Sequence, residues 1–295
     1  MSSTTQQLID RVSDLVDRIE YHFFPQDRAL NWESSIAFRW RATHLSHSGY
    51  LEPISNTHSI QLEYLCGVNS QKQRLIQNTH QFISGLPANN ALLWGSRGTG
   101  KSSLIKAVLN KFAHQGLRLI EVDKHELIHL PDIIAQVIQR PECFILFCDD
   151  LSFEADDSSY KSLKAVLDGS IGTTPKNVLV YATSNRRHLL PEYESENQQT
   201  QLIDQEIHHG ETVEEKISLS DRFGLWLSFY PINQEGYLEI VHTWLKYHEV
   251  DLKLWEEADK AALQWALARG SRSGRTAWQF ALDFAGSQQL KDKTK

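Results

Sequence analysis

The chain has 295 residues, 41% of them hydrophobic, enough for one large domain with a smaller one attached, or for two. Its 37 acidic residues outnumber 30 basic ones for a net charge of −7, and no block of like charge forms a nucleic-acid arm, so the global field does not favour DNA and leaves it only a local patch. Cys66, Cys143 and Cys148 fit no zinc spacing, and no stretch is apolar for long enough to be a signal core or a membrane span, so the sequence reads as a cytoplasmic protein with reduced thiols.

Residues 4–24 carry Leu8, Val12, Leu15, Ile19 and Phe23 at helical spacing and predict an amphipathic helix stopped by Pro25. The aromatic stretch that follows, with Trp32, Phe38, Arg39, Trp40 and Arg41, is compatible with a base-stacking surface or with ordinary core and rim packing. From about Ile60 a loop leads into a helix from Asn69, ended by Gly85 and Pro87. Short apolar strands then alternate with helices. "NALLWG", "LRLIEVD", "CFILFCDD", "NVLVYATSN" and "LWLSFYPI" predict a five-stranded parallel sheet covered on both faces, a three-layer αβα core. Between the last two strands, Pro191 to Lys216 is polar and acidic and is expected as a long surface loop; its His208–His209 pair is a weak candidate for metal binding, since adjacent loop residues rarely converge on one ion. After Pro231 three helices follow: Gln234 to Glu249, Leu254 to Arg269, and Arg275 to about Leu290. The expected division is an N-terminal extension over 1–60, a nucleotide-binding α/β domain over 61–232 and a helical lid over 233–295.

The chemistry concentrates in "WGSRGTGKSS". Gly95, Ser96, Arg97, Gly98, Thr99, Gly100, Lys101, Ser102 and Ser103 lie between a predicted strand and a predicted helix, the context that a phosphate loop requires. Its glycines let backbone N–H groups turn around an anion, and the helix N-terminus adds its positive end. Lys101 supplies a point charge for the β- and γ-phosphates of ATP, and the Ser102 hydroxyl is a ligand for Mg²⁺. About 50 residues later "FILFCDD" ends an apolar strand in two carboxylates. Asp149 is placed to reach the metal directly or through water. Asp150 stands where an acid polarises the attacking water in hydrolysing ATPases, in a form one methylene shorter than the usual glutamate. Glu154 is a second candidate for that work or a solvated helix-cap acid. Asn185, at the tip of "VLVYATSN", can orient the water or read the γ-phosphate, with Arg186 and Arg187 beside it. Arg222, before the fifth strand, can reach a neighbouring subunit's nucleotide or pair with an acid of its own chain. Arg269, Arg272 and Arg275 in "ARGSRSGRTAWQF" can reach back to the nucleotide from the lid.

In this order the residues resemble an AAA+ ATPase over about residues 60 to 290. "PANNALLWGSRGTGKSSLIKA", "DDLSFE" and "EEKISLSDRFGLWLSFYP" are similar, more narrowly, to the bacterial domain-of-unknown-function family numbered eight-fifteen. The adjacent aspartates also resemble the helicase-loader and transposition-helper branch. The resemblance implies that Gly67 and Val68 line the base pocket. It gives the metal role to Asp149, the sensing role to Asn185, the finger role to Arg222 and the lid role to Arg272. It further implies an ATP-promoted homo-oligomer, ring or filament, acting on a protein partner that the sequence does not name. The activity it implies is Mg²⁺-dependent ATP hydrolysis coupled to remodelling or recruitment of a macromolecule. Because Asp150 replaces glutamate, a slow nucleotide switch that adapts or loads a partner is the alternative. A kinase would need an acceptor site, which the C-terminal helices do not offer.

Overall fold

The computed structural model describes residues 11–13, 30–43, 49–55, 57, 60–153, 159–168, 175–186, 189, 201–203, 206–208 and 219–293. Of the helix expected over 4–24, only 11–13 falls among them; Glu154, Arg187, His209 and most of the 191–216 segment lie outside.

Two short strands come first, β1 (Ala37–Ala42) and β2 (Gly49–Pro53). Then follow α1 (Asn69–Ile83), β3 (Ala91–Gly95), α2 (Lys101–Phe112), β4 (Leu117–Glu121), α3 (Leu130–Val137), β5 (Cys143–Cys148), α4 (Ser159–Asp168) and β6 (Val178–Ser184). A small hairpin, β7 (Gln201–Ile203) and β8 (Glu206–His208), stands apart from the main sheet, and β9 (Leu225–Phe229) completes that sheet. The lid helices are α5 (Gln234–Tyr247), α6 (Trp255–Ala268) and α7 (Gly274–Lys293).

The sheet has the order β2-β1-β4-β5-β6-β3-β9, parallel throughout except for the β1–β2 pair. All five expected strands are present, but the sheet has seven, because β1 pairs with β4 and brings β2 with it. The sheet therefore takes in a segment that sequence alone assigned to the N-terminal extension. The reason is burial: Phe38 and Trp40 are 0% and 1% exposed, and Trp32 packs edge-on against Phe144. The intervening arginines are paired, Arg39 with Glu121 at 2.6 Å and Arg41 with Glu52 at 2.9 Å. That arrangement overturns the base-stacking reading, since Phe38 and Trp40 face the core and these cations are engaged.

Alternation along the strands sorts side chains to two faces. Phe144, Leu146 and Cys148 of β5 join Ile133, Val137 and Leu163 of α3 and α4 on one side. Ile145 and Phe147 join Leu75, Phe82, Leu104 and Val108 of α1 and α2 on the other. Each such large apolar side chain, fully buried, stabilises the fold by about 1.5–3 kcal/mol. The near-continuous apolar run of β5 is thus the signature of a strand covered twice. A third cluster belongs to α5–α7, where Ala258, Ala262, Ala266, Ala277 and Ala281 let the helices approach closely around Tyr237 and Phe280. Asn233 caps α5 by accepting a hydrogen bond from the Gly236 amide at 2.8 Å.

Candidate nucleotide site

The sheet order brings the carboxyl ends of β5, β6 and β3 side by side, where parallel α/β sheets bind ligands. The register does the rest. Cys148 pairs with Ala182, which sets Asp149 level with Thr183; Trp94 pairs with Ser184, which sets Gly95 level with Asn185. Two clusters of polar atoms result.

The first is a carboxylate node. Asp149 Oδ1 accepts from Ser102 Oγ at 2.6 Å and from Thr183 Oγ1 at 2.5 Å. The Thr183 hydroxyl in turn accepts from the Asp150 amide at 2.9 Å. Ser102 and Asp149, hard oxygen donors set against each other, suit Mg²⁺. The second cluster surrounds Lys101, which is 7% exposed. Its ammonium donates to Gly95 O at 2.7 Å, Ser96 O at 2.8 Å and Asn185 Oδ1 at 3.2 Å. Burial holds the Lys101 pKa below the usual lysine value, an effect that the carboxylates of Asp150 and Asp149 offset only in part. The Asn185 amide also donates to Asp150 Oδ1, so Asn185 bridges lysine and carboxylate. Arg97 lies 4.0 Å from the other Asp150 oxygen, an exposed and weakly held pair. Asp150 itself adopts a left-handed backbone, φ 51°, which Asp tolerates better than most residues.

The phosphate loop needs its glycines. Gly95 has φ 130°, and a Cβ there would stand 2.0 Å from Phe229 O, so β9 can lie against the loop only if residue 95 has no side chain. Gly98 has φ 71° and touches the lid: a Cβ would meet the Ser273 Cβ at 2.6 Å, and the Gly274 amide donates to Gly98 O at 2.7 Å. The start of α7 is docked directly onto the loop.

A cavity of ≈880 Å³ opens at this place. Arg97, Gly98, Thr99, Gly100, Lys101, Ser102, Ser103, Asp149, Asp150 and Asn185 line it, as does Val68 of the expected base pocket. Gly67 is not among the lining residues; its φ of 71° makes the turn that presents Val68. Gly95 and Ser96 act from behind, through the carbonyls that hold Lys101. Arg272 is exposed and off the cavity wall, whereas Arg275, in the first turn of α7, lines it. Arg222 is also absent from the lining and donates from Nε to Asp168 Oδ1. The apolar end holds residues that sequence reasoning missed: Tyr64, Trp244, Tyr247 and Trp278. Tyr64 stacks on Trp244 with centroids 5.3 Å apart, joining the segment before the loop to the lid. No motif marks these rings. On α5, Trp244 and Tyr247 are three residues apart, which puts them on one helix face, and that spacing was the available signal. Among the described residues no cluster of three or more His, Cys, Asp or Glu side chains forms a metal site.

A phosphate loop with its carboxylate node, set at the edge of a mostly parallel αβα sandwich with a helical lid, defines a P-loop NTPase fold of the AAA+ type. The chain belongs to the family described as "Protein of unknown function (DUF815)", whose profile matches residues 33–288. No curated protein matches it. Among solved structures it is similar to Aeropyrum pernix Orc1 in complex with DNA, at 14% identity and TM-score 0.51, over 78% of this chain and 61% of that one. The chain thus spans less than two thirds of the Orc1 chain. A chain of the HORMA:CdnC:Trip13 complex of E. coli MS115-1 overlays at 14% identity and TM-score 0.46, covering 75% of this chain and 90% of that one. The Thermotoga maritima RuvB Holliday junction branch migration motor does so at 13% and 0.41, covering 77% and 71%. At 14% identity the likeness to Orc1 is one of fold alone.

Proposed function

We propose that the protein is a Mg²⁺-dependent ATPase of the AAA+ type that couples its nucleotide state to the remodelling or recruitment of a macromolecular partner. The observation that carries this reading is the Asp149 node, where Ser102 from the phosphate loop and Thr183 from β6 converge on one carboxylate oxygen beside the buried Lys101. Bound there, Mg²⁺ would neutralise phosphate charge and ATP would supply the transferable phosphoryl group. Ser102 and Asp149 would hold the metal. Lys101 would give up its carbonyl partners for phosphate oxygens. Asn185, which already touches both Lys101 and Asp150, would orient the water for Asp150 to polarise. Arg275 would reach the nucleotide from the lid, and Arg222 would act on a neighbour in a ring or filament. Tyr64, Trp244, Tyr247 and Val68 would enclose the base. The partner fits a protein better than DNA, given a net charge of −7. None of the described helices is long and apolar enough to cross a membrane, and a cytoplasmic location is part of the proposal.

The test is ATP turnover by purified protein over a range of concentrations, with and without Mg²⁺. Activity that rises with concentration, needs Mg²⁺ and disappears in Lys101→Ala supports the reading. No hydrolysis at any concentration, with or without candidate partners, ends it.

One observation favours a second reading, a slow nucleotide switch. Asp150 has a left-handed backbone, and its two oxygens face Asn185 and Arg97, so the proposed base is held by its neighbours. Asp150→Glu separates the two: a large gain in rate favours the switch, a loss favours an enzyme tuned to the shorter acid.

A further inference from the structure

Lys72 stands one turn into α1 and has no carboxylate partner among the described residues. Its ammonium donates instead to two backbone carbonyls, Leu65 O at 2.7 Å and Leu62 O at 3.3 Å. Side chains on a helix lean toward its N-terminus, so a lysine here reaches back over the segment that leads into α1. The helix is a firm base for that reach: Leu75 is fully buried, and Gln71 donates to Ser228 O of β9 at 2.7 Å. The turn that the lysine meets, Leu62–Tyr64, has no buried side chain of its own. A cation bonded to two carbonyls three residues apart fixes their relative position where core packing does not.

That turn carries one wall of the apolar end of the cavity. Tyr64 stacks on Trp244 of α5 with centroids 5.3 Å apart and 29° between the planes, and it meets Tyr247 edge-on at 5.2 Å. Cys66 Sγ lies 3.1 Å from the Thr243 hydroxyl on the same helix. Tyr64, Leu65, Cys66 and Val68 all line the cavity, and Lys72 does not, so Lys72 can act on a ligand only through these neighbours. The phosphate end is held independently. Lys101 is bonded to Gly95, Ser96 and Asn185, and Asp149 to Ser102 and Thr183, with no bond from either group to Lys72.

We propose that Lys72 is the positioning residue of the base end: its ammonium, held by the Leu62 and Leu65 carbonyls, fixes the turn that sets Tyr64 against α5, so that core and lid present one aromatic wall to a nucleobase. The proposal rests on the reading of the cavity as a nucleotide site and deepens it by naming what holds that wall in place. Lys72 then serves affinity for the nucleoside and leaves the phosphate chemistry alone.

Binding and turnover together test this. Lys72→Met keeps the length of the side chain and removes its donors. It should raise the KM for ATP, and the Kd for a labelled ATP, roughly tenfold while kcat stays within about twofold, as expected when a wall of the binding site is misplaced. Inorganic tripolyphosphate, which has neither base nor ribose, should bind Lys72→Met as well as wild type. Lys72→Arg keeps a cation with several donors and should recover most of the loss. In a Tyr64→Ala background Lys72→Met should cost less than about twofold further, because the ring it positions is gone. ATP binding at wild-type strength in Lys72→Met overturns the proposal. So does an equal loss for ATP and tripolyphosphate, the mark of a domain loosened as a whole, and so does a full tenfold cost in the Tyr64→Ala background. If wild type binds ATP without hydrolysing it, the ATPase reading falls and the same dissociation constants still decide the role of Lys72. If wild type binds no nucleotide, both fall.

Discussion

Replacing Thr183 by valine isolates the carboxylate node from the rest of the site. The side chain is 1% exposed, so the substitution changes little but the hydroxyl, which valine replaces by a methyl in nearly the same volume. Two hydrogen bonds disappear: the one donated to Asp149 at 2.5 Å and the one accepted from the Asp150 amide at 2.9 Å. A hydrogen bond to a charged acceptor contributes ~1.5–3 kcal/mol and a neutral one ~0.5–1.5 kcal/mol. Asp149 keeps access to solvent, which places the charged contribution at the lower end. The expected loss is about 2–3 kcal/mol, read as a lower urea midpoint at unchanged slope. Function should move with it. Asp149 would be held by Ser102 alone, and the Mg²⁺ concentration for half-maximal turnover should rise roughly tenfold, equivalent to about 1.4 kcal/mol. Thr183→Ser keeps both hydrogen bonds and should behave nearly as wild type. If Thr183→Val and Thr183→Ser have the same midpoint and the same Mg²⁺ requirement, the node does not organise the site.

Arg275→Ala should reduce turnover by at least about tenfold, the scale of one lost charge contact in a transition state, while Arg272→Ala stays close to wild type; equal effects would mean that cavity lining does not identify the lid arginine. Asp150→Asn should slow hydrolysis by about a hundredfold or more while a labelled nucleotide still binds, because general-base assistance contributes at least ~10²; a wild-type rate would give the role to another carboxylate. Burial with the adjacent Asp149 charge pushes the Cys148 thiol up to about 12, so it stays protonated and inert to iodoacetamide at pH 8. Cys66, which lines the cavity and touches Thr243 of α5 at 3.1 Å, should be the thiol that nucleotide protects from labelling; alkylation of Cys148 in folded protein, or of Cys66 regardless of nucleotide, would count against this placement.

Much of this site is written locally. The phosphate loop, the apolar strand ending in Asp149 and the strand tip at Asn185 are legible because each depends on spacing within a few residues: glycines at positive φ, a helix opening at Lys101, a run of apolar residues buried on both faces. The helix starts at Asn69 and Gln234 were readable for the same reason, the second through its Asn233 cap. Tertiary structure decided what depends on distant partners. Strand order and register put Thr183 on Asp149 and Asn185 on Lys101, pairings that no local pattern encodes. Whether the aromatic segment 37–53 packs inward was settled by its fit beside β4. That Arg275 lines the cavity and Arg272 does not follows from the docking of Ser273 and Gly274 on Gly98, which brings the first turn of α7 to the cavity. The partner of Arg222 was equally out of reach of the sequence, because Asp168 comes near only when α4 and the 219–223 turn pack on the same core. Local chemistry fixes which groups are available; long-range packing fixes which of them meet.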